Sequence, residues 1–92
     1  MKITLKGTGT LQEYFGREEH SLDLPHNSTV RELLVKVEED WGSRLPAYLW
    51  DFKEHKFRGP VVVVVDKVVV RTPELKLKDG SEVQLVKALA GG

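Results

Sequence analysis

Thr29-Val30-Arg31-Glu32-Leu33-Leu34-Val35-Lys36-Val37-Glu38-Glu39-Asp40-Trp41-Gly42 is the stretch of this 92-residue chain on which the fold turns. Val30, Leu33, Leu34, Val37 and Trp41 recur at helical spacing and make one apolar stripe. Glu32, Lys36, Glu39 and Asp40 take the opposite face. Thr29 followed three residues later by Glu32 is a capping-box pattern, so the helix starts there. Gly42 sits where a left-handed cap would close it. One such helix cannot bury its stripe alone; it needs a sheet to lie across.

The flanking sequence supplies the strands. Before the helix, Ile3 and Leu5 alternate with Lys2, Thr4 and Lys6, and His20, Leu22 and Leu24 alternate with Ser21 and Asp23. Between them, residues 7–16 read as a turn or irregular loop pinned to the core by Tyr14 and Phe15. After the helix, residues 43–50 read as a short helical turn and 51–59 as an exposed charged loop. Two β-branched runs, Val61 to Val65 and Val68 to Val70, flank Asp66-Lys67 as in a hairpin, with the turn type left open. Asp79-Gly80 is a second turn, and Glu82 to Val86 a last strand. The expected architecture is α+β: a mixed sheet of about five strands with one main helix on one face. Residues 1–86 form the domain and 87–92 an extended, flexible tail.

Composition narrows the function. Lys+Arg and Asp+Glu both number 14, so the net charge is zero. Nucleic acid is not expected as a partner, because phosphate binding needs a cationic excess or stripe. The chain has no Cys, hence no disulfide, thiolate metal site or cysteine nucleophile. Its longest apolar run falls far short of the ~20 residues of a membrane helix, and nothing near Met1 resembles a signal peptide. A cytoplasmic protein without membrane partners is the expectation.

Catalytic sets are missing from the sequence. There is no phosphate-cradling glycine loop and no nucleophile elbow. His20, His26 and His55 lack metal-ligand spacing, and no metal site is expected. His20 reads as a packed or edge residue of its strand. Two features go beyond a bland domain. The first is the valine content of the third and fourth strands, which offers apolar side chains to both sheet faces. One parity faces the helix; the other faces water, a partner, or the 43–58 segment folded across it. Val86 belongs with that second parity, opposite to Val83 and Leu85.

The second feature is the terminus, Ala88-Leu89-Ala90-Gly91-Gly92, small, uncharged and free of proline. Such a segment can lie extended in a narrow channel, where walls can close on a glycine backbone that has no Cβ. The six residues 87–92 reach about 20 Å. They can present the Gly92 α-carboxylate to a remote active site. A carboxylate is a poor electrophile and must become an acyl-adenylate before sulfide or an amine attacks it, and this chain has no motif to bind ATP.

Asp79-Gly80-Ser81-Glu82-Val83, the short apolar strand and the ending Ala90-Gly91-Gly92 resemble the sulfur-carrier branch of the ubiquitin-like, β-grasp proteins. That branch includes the small subunit of molybdopterin synthase and the thiamine-pathway sulfur carrier. The resemblance implies that an E1-like adenylating enzyme, using MgATP, activates Gly92, and that a sulfur-donor enzyme converts it to a thiocarboxylate. It implies sulfur donation in molybdopterin (molybdenum or tungsten cofactor) biosynthesis, within the large subunit of molybdopterin synthase. Alternatives are a thiazole synthase of the thiamine pathway, or conjugation of Gly92 to protein lysines. Gly91 and Gly92 map onto the family's terminal pair; Val86, Ala88, Leu89 and Ala90 map onto partner-binding positions. By the same resemblance the chain is a carrier and co-substrate rather than an enzyme, and it binds no cofactor itself. Its tail lacks the aromatic-proline character common in the molybdopterin branch and looks closer to the thiamine carrier. The substantial 42–59 segment suits the molybdopterin type.

Overall fold

A computed structural model describes residues 1–87. The decisive helix, α2, runs Val30–Trp41 and buries Val30, Leu33, Leu34, Val37 and Trp41, the stripe read from the sequence. Each such side chain contributes about 1.5–3 kcal/mol of transfer free energy. Its start is closed by the capping box: the Thr29 amide donates to Glu32 Oε2 at 2.9 Å. Two further amides that the helix itself cannot satisfy are taken by a neighbouring segment. Val30 N–H donates to the Leu75 carbonyl and Arg31 N–H to that of Pro73, each at 2.9 Å.

The strands of the main sheet are β1 (Lys2–Gly7), β2 (His20–Asp23), β5 (Val61–Val65), β6 (Val68–Val69) and β7 (Glu82–Lys87). Their order is β2-β1-β7-β5-β6, with β1 and β7 parallel and every other neighbour antiparallel. The chain thus crosses over α2 and the later strands before its last strand slots into the centre. This is the mixed five-stranded β-grasp arrangement expected from the sequence. Ile3, Leu5, Val65, Val83 and Leu85 face α2 and are buried with it. His20 packs edge-on against the Trp41 ring at 4.9 Å and bonds the Phe15 carbonyl through Nε2.

Four local expectations need correction. Residues 7–16 are not irregular: a 3-10 turn (Gly9–Leu11) leads into a short helix, α1 (Gln12–Phe15), which buries Leu11 and Phe15. Gly42 is not left-handed; its φ of −52° and ψ of −38° continue into a 3-10 turn, Gly42–Arg44. Glycine is favoured there by close approach, since a Cβ would lie 3.1 Å from Glu38 Cγ. The charged 51–59 stretch is not simply exposed. Trp50–Asp51 (β3) and Lys56–Phe57 (β4) pair as a small second sheet. Trp50 is fully buried and meets the Phe57 ring edge-on at 4.8 Å.

The fourth correction concerns the outer sheet face. Residues 43–58 do not cover it; they join the helix side, where Phe15 lies 5.2 Å from Trp41 and 6.3 Å from Phe57. Charged side chains tie this segment to α2. Glu38 accepts from Trp50 Nε1–H at 2.8 Å and contacts His55 Nδ1 at 2.9 Å. The Trp50 bond first, and His55 second, hold the Glu38 carboxyl below its usual 4.5. A carboxyl depressed by folding stabilises above its unfolded pKa and loses that contribution as pH falls through the folded value. Denaturant midpoints measured from pH 7 to pH 3 should therefore fall more steeply below about pH 4.5 for the wild type than for Glu38→Gln. Parallel curves would show that the bond adds nothing to the fold.

The valine hairpin closes through Asp66 and Lys67, both at positive φ (48° and 69°). That pair of values matches the type I′ turn, which suits strand twist but strains a side chain at the second position. Asp66 earns its place, since Oδ1 accepts from Glu82 N–H at 2.8 Å. Lys67→Gly is expected to raise stability by about 1 kcal/mol, or the Tm by roughly 4–8 °C, in thermal unfolding followed by circular dichroism.

Candidate functional site

The expected site lies at the C-terminal end of β7, and its geometry starts from that strand's central position. β7 is hydrogen-bonded on both edges: Thr4 to Gly7 run parallel to Glu82–Leu85, and Val61 to Val65 run antiparallel to Lys87–Val83. A strand with neighbours on both sides cannot fray without breaking two ladders. Its exit is fixed further by Thr8, whose N–H and Oγ1–H both donate to the Leu85 carbonyl, at 3.0 and 2.9 Å. Lys87 is the last described residue and pairs with Val61. Ala88, Leu89, Ala90, Gly91 and Gly92, the tail assigned from the sequence, lie outside the described residues.

Around that exit the sheet presents two unlike surfaces. On the outer face, Val86 pairs across from Val62, and both are half-buried beside Val64. Continuing along the same face, Gln84 pairs with Val64 and lies next to Lys6, with Glu82 and Thr4 beyond. The face is therefore apolar at the exit and becomes polar away from it. Val86 is the one sequence-assigned binding residue whose position is described, and it belongs to the apolar end.

On the helix side, three residues gather that sequence reasoning did not connect. Lys87 Nζ sits 5.8 Å above the Tyr48 ring, within cation–π range. Tyr48, 61% exposed, shares a hydrogen bond of 3.1 Å between hydroxyls with Tyr14. That bond above all, with some desolvation, pushes the Tyr14 phenol up to about 12, so its hydroxyl stays protonated at neutral pH. The pair joins the α1 segment to the 43–58 segment directly beside the end of β7. Tyr14 and Tyr48 stand 34 positions apart, and no local pattern links them.

Chemically, this arrangement fixes the position of β7 as far as Lys87, between two ladders and beside the tyrosine pair. Among the described residues, no three His, Asp or Glu gather as a metal site, and no helix is long and apolar enough to cross a membrane. His20 and His55 are both engaged in packing or hydrogen bonds.

Comparison with known proteins agrees with this geometry. The sequence model of the ThiS family matches residues 8–92. No sequence match was found among curated proteins. Among solved structures, SAMP1 (small archaeal modifier protein 1) from Haloferax volcanii is 16% identical, with full coverage of both chains and a TM-score of 0.81. A putative molybdopterin converting factor, subunit 1, from Pyrococcus furiosus is 20% identical over 97% of this chain and 99% of its own, with a TM-score of 0.74. A chain of the Amycolatopsis orientalis BexX/CysO complex is 28% identical over 98% and 99%, with a TM-score of 0.65.

Proposed function

This chain belongs to the ThiS family of ubiquitin-like sulfur carriers, and from that premise we propose that Gly92 is its working group. An E1-like enzyme transfers AMP from MgATP to the Gly92 carboxylate and releases pyrophosphate. A sulfide equivalent from a sulfur-donor enzyme then displaces AMP and leaves a thiocarboxylate. The thiocarboxylate sulfur bonds to a molybdopterin precursor inside the large synthase subunit, and water then cleaves the acyl–sulfur bond and returns Gly92 to its carboxylate, with Val86 and the 88–91 segment docking against that partner.

The observation that supports this reading is the central β7, hydrogen-bonded on both edges and described as far as Lys87, five residues before Gly92. In this reading the five residues 88–92, fully extended, set the Gly92 carboxylate at most about 18 Å from Lys87. A partner must therefore bring its active site close to the valine face and the tyrosine pair. The likeness to the molybdopterin converting factor subunit and the folded 43–58 segment support the molybdopterin assignment over the thiamine pathway. The BexX/CysO complex, in which a similar chain sits with another protein, is consistent with work done in a partner's pocket.

The fold shared with SAMP1 favours one second reading, in which a lysine amine attacks the same activated Gly92 and forms an isopeptide bond. Intact-mass measurement distinguishes the two. Incubation with the cognate activating enzyme, ATP and a sulfur donor should exchange one terminal oxygen for sulfur. Lysine adducts bearing the Gly92 remnant, with no such exchange, would favour conjugation; an unchanged mass with every activating enzyme of the source organism would defeat both.

A further inference from the structure

A groove of about 360 Å³ opens between α2, the 56–57 segment and the β5–β6 edge. Its floor is apolar: Val30, Leu34, Phe57 and Val61 are nearly buried, and Val63 and Val70 partly so. Its rim carries two charged side chains, Lys56 and Arg71, both cationic and exposed. Among the described residues neither has a carboxylate within ion-pair distance, whereas Arg31 and Arg58 nearby are paired with Glu74 and Asp51.

The backbone of β5 adds direction. β6 covers only Val64 and Val65, and Val70 N–H reaches back to the Val63 carbonyl at 2.9 Å. Beyond that bond no strand among the described residues lies alongside β5, and Arg71 to Pro73 line the groove instead, while Val61 and Val62 remain paired to Lys87 and Val86 on the other side. Asp66 N–H donates to the Glu82 carbonyl, so bonding toward β7 falls on Val62 and Val64 by the alternation of antiparallel pairs. The N–H and C=O groups of Val61 and Val63 therefore point away from β7. Val61 N–H is taken by Arg58, and Val63 C=O by Val70. Among the described residues the Val61 carbonyl and the Val63 amide have no backbone partner, on the groove side of β5.

We propose that this groove binds an extended acidic–apolar peptide segment of a partner protein, which adds its backbone to the Val61–Val63 edge. Its apolar side chains enter the Val30–Leu34–Phe57 floor, and its carboxylates meet Lys56 and Arg71. A free fatty acid would match the floor and the cations but has no use for an exposed amide and carbonyl. The unpaired strand edge selects a peptide.

The probes are a small panel of capped, labelled octapeptides that alternate Val, Ile, Leu or Phe with Asp. Titrated into the isotope-labelled protein, at least one should shift the amide signals of Val61, Val63, Val70 and Arg71 and slow exchange of the Val63 amide. Exposed-site variants Lys56→Glu and Arg71→Glu, folded by circular dichroism, should each weaken binding roughly tenfold, and added salt should weaken the wild type. Deleting Gly92 should leave binding unchanged, which separates this site from the carrier role. The proposal is overturned if no peptide binds below about 1 mM. It is equally overturned if lysine replaces Asp without loss, if backbone N-methylation leaves affinity intact, or if shifts fall on Val64, Gln84 and Val86.

Discussion

Deleting Gly92 is expected to abolish thiocarboxylate formation, at least 100-fold in initial rate, while the Tm stays within about 1 °C of wild type. The acyl carbon would be withdrawn by one residue, about 3.5 Å, from wherever a partner holds it. Misplacement of a reacting atom by even about 1 Å costs on the order of 100-fold. The body should not notice, because every residue of the described core lies at or before Leu85. Gly91→Val should be almost as damaging, since a β-branched side chain restricts both the backbone and the channel that would close around it. Intact mass after incubation with activating enzyme, ATP and sulfur donor reads the first quantity, and thermal unfolding the second. A deletion variant still loaded with sulfur would place the chemistry elsewhere. A large fall in Tm would make the tail part of the body and remove the basis of the carrier reading.

Trp50→Ala carries the largest expected effect on stability. The residue is fully buried, packs edge-on against Phe57 and donates its indole N–H to Glu38. Truncating a buried Trp costs about 3–5 kcal/mol through lost transfer energy and the cavity left behind. A domain of this size has only roughly 5–14 kcal/mol in total. The Tm should drop by roughly 15–30 °C, and the acid sensitivity that Glu38 confers should shrink with it. Trp50→Phe, which keeps a ring but not the donor, should cost less than half as much. A loss below about 1 kcal/mol for Trp50→Ala would mean that residues 43–58 are an appendage rather than a wall of the core.

Legibility in the sequence followed the range of the interactions. The α2 stripe and its capping box depend on neighbours three and four residues away, so Thr29, Glu32 and the five buried positions could be read directly. Strands β1, β2, β5 and β7 show their alternation or β-branching locally, and the Asp66-Lys67 and Asp79-Gly80 turns follow the same rule. The mini-sheet did not show itself, because Phe57, like the exposed Phe52, stands isolated among charged residues. It is buried only because Trp50 and Phe15, from distant segments, arrive beside it. Gly42 misled for a related reason: glycine accepts a left-handed backbone and also permits close approach, and its sequence neighbours do not say which is needed.

Local periodicity in the chain itself thus specified a helix laid on a mixed sheet, and its residues carry the likeness to the family. Three-dimensional packing decided which valine face is left open, which tyrosines flank the end of β7, and where a cation-rimmed groove meets an uncovered strand edge. Those features arise from residues tens of positions apart, and their juxtaposition exists only once long-range pairing has fixed the register of β7 between β1 and β5.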